Sequence, residues 1–512
     1  MTKVWDAVVI GSGFGGTMAA DELVRAGLDV LMLERGDWVE RGPDNWDATA
    51  SVDLTSWFTG EPPYRVVAGG NGPTVGSYSC VGGPSVFYGG VSVRFRAEDF
   101  VTDPEIVGDS GAAWPYDYEE LEPWYARAEA LLGVAGTIDE DPTEPRHSGP
   151  YPSEPGVLSD TSARIAAAAR SLGLSPFRLP LAINYSPDKG RAACVGCTTC
   201  DTFACAIGAK NDLATAVLPS LRARGLEIRP NTVVTNLLVR DGHCEAVACY
   251  DKGSGRRERV RATTVVLSAG ALGTPHVLLA SELDAQNPAG HLLGRHLMRH
   301  CNAIVFGVFP SRPNPRRQFH KQIGIHDFYF GHPEVREPTG KLGSVQQLST
   351  PPVGLIRDDL PQVVGPLIGP AVDHLTGLLV MAEDQPQPGN HVRIDWRVRD
   401  RYGLPQLNIE HHYSQRDQLA RKVLVRHSKR ILRRAGAPAS YVHRIKSFSH
   451  AVGTVRFGSD PATSVLDENC RFRGIANLHV IDASFMPTSA GLNPSLTISA
   501  NALRVGHAIS HG

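Results

Sequence analysis

Hydrophobic and polar positions follow one another in two different patterns along this chain. Near the amino terminus, the apolar run Val4–Ile10 leads into a glycine-rich loop, then into an amphipathic stretch that ends at Gly27, then into a second apolar run over 29–34. This order predicts a strand, a helix and a parallel strand, which together open a Rossmann-type domain. Further strands are predicted over 233–239, 243–250, 264–268 and 478–481.

Between 301 and 444 the pattern changes to an alternation with period two, seen best at 391–396 and 406–411. This alternation predicts an antiparallel sheet, which we interpret as a substrate-binding domain inserted into the nucleotide-binding fold. Helices are predicted over 118–132, with Asp117 as its cap, and over 162–172. A last helix is predicted over 494–507, with Asn493 as cap and Pro494 at its first position.

Composition narrows the class of protein. Hydrophobic residues make up 42% and charged residues 20%, and the net charge of −2 gives no reason to expect a nucleic acid partner. The apolar strand at Val4 leaves no room for a leader, which predicts a chain without a signal peptide. Glycines and prolines interrupt the lightly charged stretch 361–381, which excludes a membrane-spanning helix and predicts a mobile loop or a short amphipathic segment. We therefore expect a cytoplasmic protein with no membrane partner.

The loop after the first strand carries the spacing of a dinucleotide site. Gly11, Gly13 and Gly16 allow backbone amides at a helix amino terminus to approach a pyrophosphate. Glu34 ends the second strand, where its carboxylate accepts hydrogen bonds from ribose hydroxyls and repels the 2′-phosphate of NADP. The spacing alone does not separate NAD from FAD.

Five longer segments make that distinction: VGGPSVFYGGVSVRF from Val81, SAGALGTPHVLLAS from Ser268, GRHLMRH from Gly294, and the carboxy-terminal segments SHAVGTVRFGSDPATSVLD and NLHVIDASFMPTSAGLNPSLTISANAL. Together they resemble the glucose-methanol-choline (GMC) oxidoreductase family over nearly the whole chain. Glu282 and Asp284 stand where the family usually has glycine. The resemblance implies an FAD-dependent enzyme that oxidises alcohols. It also implies an α/β fold, with a Rossmann-type FAD-binding domain and an inserted α+β antiparallel-sheet domain.

On this interpretation the FAD-binding domain comprises 1–110, 191–300 and 445–512, the substrate domain comprises 301–444, and 111–190 holds linker and substrate-domain elements. Relatives that bind FAD covalently use a histidine in the glycine-rich motif, whereas SVFYGG has Phe87 and Tyr88 there, which predicts dissociable FAD.

The resemblance also implies the site residues. His450 matches the family's catalytic histidine, which accepts the hydroxyl proton, and Asn493 takes the place of its companion, which orients the substrate oxygen. Asp482 is expected near the ribityl chain, and the helix from Pro494 is expected to point at the flavin ring and stabilise its reduced form. The full set of implied cofactor-binding positions is Gly11, Gly13, Phe14, Gly15, Gly16, Glu34, Arg35, Gly82, Gly83, Ser85, Tyr88, Gly89, Gly90, Val233, Ala269, Asp482, Ala483, Pro494 and Thr497.

Four of the nine cysteines form a cluster, Cys194, Cys197, Cys200 and Cys205. Their spacing approaches that of an iron–sulfur site but lacks its three-residue last gap and trailing proline. It is equally compatible with a zinc site, two disulfides or free thiols. A cluster beside the flavin would favour a dehydrogenase, and its absence would favour dioxygen as acceptor.

The substrate is expected to be a small alcohol. The segment SVFYGGVSVRFR and the segment PLAIN from Pro180 resemble bacterial sugar oxidases, including those that oxidise the hydroxymethyl group of aminoglycosides. A polyol, sugar or amino sugar is therefore expected, with dioxygen or another electron acceptor. For an amino sugar, Glu383 and Asp384 could line the pocket, although a solvated loop is the simpler interpretation. A dehydrogenase of steroid or aliphatic alcohols, a lyase with the same fold and a noncatalytic flavin-binding module are the alternatives.

Overall fold

A computed structural model describes residues 3–47, 58–67, 74–187, 190–350, 369–445 and 447–512. The strands are β1 Val4–Ile10, β2 Val30–Leu33, β3 Phe58–Val66, β4 Thr74–Tyr78, β5 Phe177–Arg178, β6 Glu227–Arg229, β7 Thr232–Arg240, β8 His243–Asp251, β9 Arg257–Leu267, β10 Cys301–Val308, β11 Ile323–Ile325, β12 Gly343–Leu348, β13 Leu375–Ala382, β14 His391–Arg399, β15 Pro405–Glu410, β16 Ala439–His443 and β17 Leu478–Val480. The α-helices are α1 Phe14–Arg25, α2 Pro104–Val107, α3 Tyr118–Leu132, α4 Asp160–Arg170, α5 Leu213–Ala216, α6 Leu218–Ala223, α7 Gly270–Ala280, α8 Gly369–Val372, α9 Gln415–Arg434 and α10 Ser495–His511.

A seven-stranded sheet in the order β6-β2-β1-β9-β8-β7, with β17 on β9, forms the nucleotide-binding core. Strands β6, β2, β1, β9 and β17 run parallel, and most of their apolar side chains are buried, with Val4 at the start of β1 an exposed exception. The register pairs Ile10 with Leu267 and Leu267 with Val480, so the loops that follow β1, β9 and β17 meet at one edge of the sheet. Carboxyl edges of parallel strands are where nucleotides bind in such folds.

Most elements predicted for this core are confirmed. The first strand and α3 have the predicted bounds, and the Asp117 side chain accepts a hydrogen bond from the amide of Glu120. Helix α4 begins two residues earlier than predicted because Ser159 caps it by accepting from the amide of Ser162. The sequence also has a glycine-rich stretch over 69–90, and its first residues, 69–73, lie outside the described residues.

The region 301–444 supplies most strands of an antiparallel sheet, in the order β16-β10-β13-β12-β11-β5, and β5 comes from residues 177–178. One face packs on helices α4 and α9 through a buried apolar cluster that includes Ile165, Val305, Val345 and Leu424. The opposite face carries Ile304, Phe306, Leu379 and Met381. The segment 361–368, part of the stretch considered as a loop, is outside the described residues, and none of the described helices is long and apolar enough to cross a membrane.

The two clearest period-two runs do not belong to that sheet, which corrects the prediction. Strands β14 and β15 pair with each other antiparallel, and β15 then pairs in parallel with β3 in a separate four-stranded sheet. Leu407 lies opposite Tyr64, and both are buried in a small apolar cluster with Leu297. Alternation specifies a one-sided strand, but the partner is chosen by packing between distant segments.

Candidate active site

Other backbone segments pack closely against the nucleotide-binding loop at Gly11 and Gly15, but not at Gly13. A Cβ atom on Gly11 would lie 2.2 Å from the carbonyl oxygen of Ser268, and one on Gly15 would lie 2.5 Å from that of Ile481. Gly11 also has φ +99°, which favours glycine. Gly13, in contrast, has no atom within 4 Å of the Cβ position. The open side at Gly13 is therefore where a pyrophosphate can approach the amino terminus of α1.

Glu34 is held firmly at the end of β2. One carboxylate oxygen accepts from the Ser12 amide at 3.0 Å and from the Ser12 hydroxyl at 2.6 Å, and the other accepts from the Gly36 amide at 3.0 Å. Burial raises the pKa of this carboxyl, and the same hydrogen bonds oppose the rise. Arg35 lies 3.6 Å from Asp400, and its Nε and one Nη are buried without a hydrogen-bond partner among the described residues.

The second glycine loop packs directly on the first. The Gly82 amide donates to the Ser12 hydroxyl at 2.9 Å, and a Cβ on Gly83 would lie 3.2 Å from the Cα of Gly13. The Ser85 hydroxyl donates to the Gly82 carbonyl at 2.7 Å. Phe14 and Tyr88 meet edge to face with ring centroids 5.5 Å apart. The predicted loop residues therefore form one continuous surface.

The remaining predicted cofactor positions fall into two groups. Asp482 accepts from the amides of Gly270 and Ser484, at 3.1 and 2.8 Å, and the Ala269 amide donates to Thr274 at 3.0 Å. Burial raises the pKa of Asp482. These residues, with Ala483, lie after β9 and β17, as the resemblance implies. The others are buried and have these contacts: Gly16 lies against the Gly11 carbonyl, the Gly90 carbonyl accepts from the Ala182 amide, Val233 on β7 pairs with Tyr250 on β8, and the Thr497 hydroxyl is hydrogen-bonded to that of Tyr125.

His450 and His300 form a hydrogen-bonded pair with Nδ1 to Nδ1 at 3.1 Å. Nε2 of His300 lies 3.0 Å from the carbonyl oxygen of Ser489. A carbonyl oxygen only accepts, so Nε2 of a neutral His300 carries the hydrogen and its Nδ1 is an acceptor. Nδ1 of His450 must then donate to it. This leaves the lone pair of His450 on Nε2, which is the tautomer that a general base requires.

The surroundings keep both rings neutral. Burial lowers the pKa of His300. Burial, with smaller contributions from His300 and Lys321, lowers the pKa of His450 to about 3. Lys321 is buried and lies 2.5 Å from Asp201, and a Cβ on Gly89 would be 2.7 Å from its Nζ. The ion pair of Lys321 and Asp201 therefore lies beside the second glycine loop, with its ammonium close enough to His450 to affect the pKa of that ring.

Asn493 does not cap the last helix, which corrects the prediction. The structure places Pro494 at the cap position, where its carbonyl accepts from the Ile498 amide at 2.9 Å, and no side chain caps the helix. The Asn493 Oδ1 accepts instead from Nε2 of Gln346 on β12, at 2.6 Å. The side-chain oxygen is directed to another strand, and among the described residues no hydrogen bond is seen from the amide Nδ2 of Asn493.

The cysteine segment 194–205 contacts the second glycine loop on one side and the segment that leads into β11 on the other. The Thr202 amide donates to the Phe87 carbonyl at 2.8 Å, and the Phe319 amide donates to the Gly196 carbonyl at 2.7 Å. All nine cysteines are free thiols, and in the part of the chain that the structure describes no group of three or more His, Cys, Asp or Glu is arranged to hold a metal ion. Burial raises the pKa of Cys200 to about 12.

Glu383 and Asp384 do not form a solvated loop, contrary to the simpler interpretation. Glu383 is 1% exposed and lies 3.4 Å from the ammonium of Lys341, while Asp384 is 0% exposed and accepts from His411 Nε2 at 2.7 Å. The acidic pair is thus enclosed with cationic and hydrogen-bonding partners inside the protein.

Three residues that matter to the site were not predicted. His300 lies within the GRHLMRH segment, so the resemblance could have directed attention to it. Lys321 and Gln346 lie in the least recognisable region and carry no motif. Only the fold brings them to His450 and Asn493.

The cradle fits a bound FAD. Besides the open side at Gly13, buried polar atoms along it have no partner in the described parts of the chain: Oγ of Ser268, Oγ of Ser484 and the two Arg35 nitrogens. Buried polar groups are normally hydrogen-bonded, so these atoms can form hydrogen bonds with the polar groups of a ligand. A dinucleotide cradle that leads to a neutral histidine and a free amide donor defines a flavin-dependent oxidoreductase of alcohols.

The chain belongs to the GMC oxidoreductase family, whose two-part family model matches residues 6–302 and 386–502. It is 33% identical over 531 residues to 6'''-hydroxyparomomycin C oxidase of Streptomyces lividus, covering 99% of this chain and 92% of that protein. It is 32% identical over 541 residues to paromamine 6'-oxidase of Streptomyces fradiae, with the same coverages of 99% and 92%. Among solved structures, pyridoxine 4-oxidase from Mesorbium loti has the same fold, with a TM-score of 0.70, 20% identity and 99% of each chain covered.

The protein is therefore an FAD-dependent enzyme of alcohol oxidation, and the FAD is bound without a covalent link. The loop that carries the histidine in covalent relatives presents Phe87 and Tyr88 here, and neither is a histidine. The predicted fold class, with its Rossmann-type core and antiparallel second domain, is confirmed. The domain boundaries and the roles of single site residues stay predictions.

Proposed function

We propose that this protein oxidises the hydroxymethyl group of an amino sugar, of the kind found in aminoglycosides, to an aldehyde, with dioxygen as the electron acceptor. Two relatives whose names specify oxidation of paromomycin-type compounds align with it from end to end. The observation that carries the proposal is the tautomer of His450, whose Nε2 is held free by the bond from Nδ1 to His300.

Each residue of the pair has a separate task. Nε2 of His450 accepts the proton of the substrate hydroxyl, and Nδ2 of Asn493 donates to the same oxygen and orients it. The carbon then loses a hydride as its C–O bond becomes a double bond, so the alcohol is oxidised by two electrons. FAD, when bound, supplies the acceptor for that hydride. Protonated His450 afterwards offers positive charge where dioxygen is reduced to peroxide.

Anaerobic mixing of the holoenzyme with paromamine, a neutral hexopyranoside, a steroid alcohol and an aliphatic diol tests the proposal. We expect paromamine to bleach the oxidised flavin band, and readmitted air to restore it with one hydrogen peroxide per aldehyde formed. His450→Ala should keep its FAD and lose most of the ~10²–10⁴-fold contribution of base catalysis.

Each alternative gives a different result. Bleaching that air does not reverse, but an artificial acceptor does, would identify a dehydrogenase. Bleaching by the steroid or the diol alone would replace the proposed substrate class. An unbleached flavin with every alcohol would indicate a lyase or a noncatalytic module and would refute oxidation.

A further inference from the structure

Strand β12 contacts the loop 489–493, which precedes α10 and is called the catalytic loop below, at several points. Gly343 approaches Gly491 so closely that a Cβ on Gly491 would lie 2.5 Å from the Cα of Gly343. The Ser344 hydroxyl donates to the Gly491 carbonyl at 2.6 Å, and Gln346 Nε2 donates to Asn493 at 2.6 Å. Because side chains alternate along a strand, Ser344 and Gln346 share the face that meets this loop.

That face changes from polar to apolar with distance from the catalytic loop. The register places Asn302, Met381 and Ser344 in one row, and Ile304, Leu379 and Gln346 in the next. The row after that contains Phe306 and Leu348. A sugar has both C–H surfaces and hydroxyl groups, and a face of this kind offers contacts to both.

Only one of the two polar atoms of the Gln346 carboxamide has a hydrogen-bond partner among the described residues. Its side chain is buried, its Nε2 is committed to Asn493, and its Oε1 has no hydrogen-bond partner in the described residues. The two atoms belong to one planar group, so the unpaired oxygen lies beside Asn493. A buried acceptor left without a donor is unfavourable, and a ligand that supplies one removes that cost.

We propose that Gln346 is the specificity-determining residue of the site. Its Nε2 fixes Asn493 so that the amide Nδ2 faces the reacting hydroxyl, and its Oε1 accepts a hydrogen bond from a second donor of the substrate, a hydroxyl or an ammonium. This inference rests on the proposed function and adds to it, because it requires a substrate with a donor near the oxidised carbon. Aliphatic monoalcohols lack one.

Two substitutions separate the two tasks. Gln346→Leu removes both, so substrate binding should weaken by about 10-fold, which is the value of one hydrogen bond to a neutral or charged donor, and kcat should also fall. Gln346→Glu keeps the acceptor but has no N–H for Asn493, whose amide must then turn to donate to the carboxylate. Binding should therefore persist in Gln346→Glu while kcat falls at least as far as in Gln346→Leu.

Gln347 supplies the matched control. It is equally buried and lies on the same strand, but it belongs to the opposite face, where its Oε1 accepts from the hydroxyl of Ser162 at 3.0 Å. Gln347→Leu should leave the Kd and kcat for the substrate near their original values, whatever it does to stability. FAD content, measured from the visible spectrum, should be equal in all the variants.

The experiment combines calorimetric titration of each holoenzyme with turnover, using methyl glucosaminide and a set of its monodeoxy and deamino analogues. We expect one analogue to bind about 10-fold more weakly to the unchanged protein and to lose that penalty in Gln346→Leu. An equal loss for every analogue, or no difference from Gln347→Leu, would overturn the assignment. Binding without turnover would refute the proposed oxidation but leave the role of Gln346 in binding supported, and absence of both would refute both.

Discussion

Replacement of His300 tests whether a buried neighbour sets the tautomer of the base. In His300→Leu, the Nδ1–H of His450 loses its only acceptor among the described residues, and the ring becomes free to carry the hydrogen on Nε2 instead. The ring in that form cannot accept the hydroxyl proton. His300 itself is fully buried, so no water replaces the lost acceptor without rearrangement.

The size of the effect follows from the cost of a buried N–H without a partner. That cost is about 1–3 kcal/mol, and each 1.36 kcal/mol is a factor of ten, so flavin reduction should slow by roughly 5- to 150-fold. The ceiling is the ~10²–10⁴-fold contribution of the base itself. His300→Asn offers an amide oxygen near the position of Nδ1 and should recover most of the rate.

Backbone strain provides the control. His300 and His296 both adopt φ 60°, a left-handed conformation that asparagine tolerates better than leucine. His296 is likewise buried, but its Nδ1 lies 2.9 Å from the carbonyl of Pro386 and not against His450. The pair His296→Leu and His296→Asn therefore measures the effect of strain and of a lost buried hydrogen bond without any change in the contact to His450.

Anaerobic stopped-flow reduction of the flavin is the assay, with FAD occupancy checked beforehand. We expect a large gap between His300→Leu and His300→Asn and no comparable gap between the His296 variants. If His300→Leu reduces its flavin at the original rate, or if both His300 variants are slowed equally, the tautomer argument is wrong.

Three other predictions follow from the same geometry. Since the pKa of His450 is lowered to about 3, the rate of flavin reduction should not fall with decreasing pH near pH 6.5. Lys321→Met removes a nearby positive charge, so it should raise the pKa of His450 and move the acid limb of the kcat/KM profile to higher pH. Lys321→Met/Asp201→Asn, which removes both charges of the ion pair, is the charge-balanced control. In Gly13→Ala the new Cβ meets no protein atom, so the variant should fold normally, but the methyl group occupies the open side of the loop and should weaken FAD binding in a fluorescence titration. In Gly15→Ala the Cβ would lie 2.5 Å from a backbone oxygen, so the melting temperature should fall. Acid precipitation should leave the yellow colour in the supernatant, and a yellow pellet would contradict dissociable FAD.

The parts of the fold that could be predicted are those specified by local signals. The β1 pattern, the glycine spacing and Glu34 lie within one short segment, and each has a direct backbone or capping consequence. Asp117 predicted the start of α3 correctly for the same reason. Strands β14 and β15 were also recognisable as strands, but their partner β3 lies far away in the sequence, and alternation contains no information about it.

The same distinction between local signals and distant contacts applies to the active site. Asn493 followed by Pro494 is a good helix start by local rules, and the family resemblance separately makes Asn493 a substrate contact. A cap would use the side-chain oxygen and the substrate contact would use the amide Nδ2, and the structure directs the oxygen to Gln346 on β12 instead of to the helix amides. His450 likewise acquires its reactive tautomer from His300 and, through it, from the carbonyl of Ser489. Motifs identify the groups that react, but the hydrogen bonds that decide which atom of each group faces the substrate come from residues that only folding brings near.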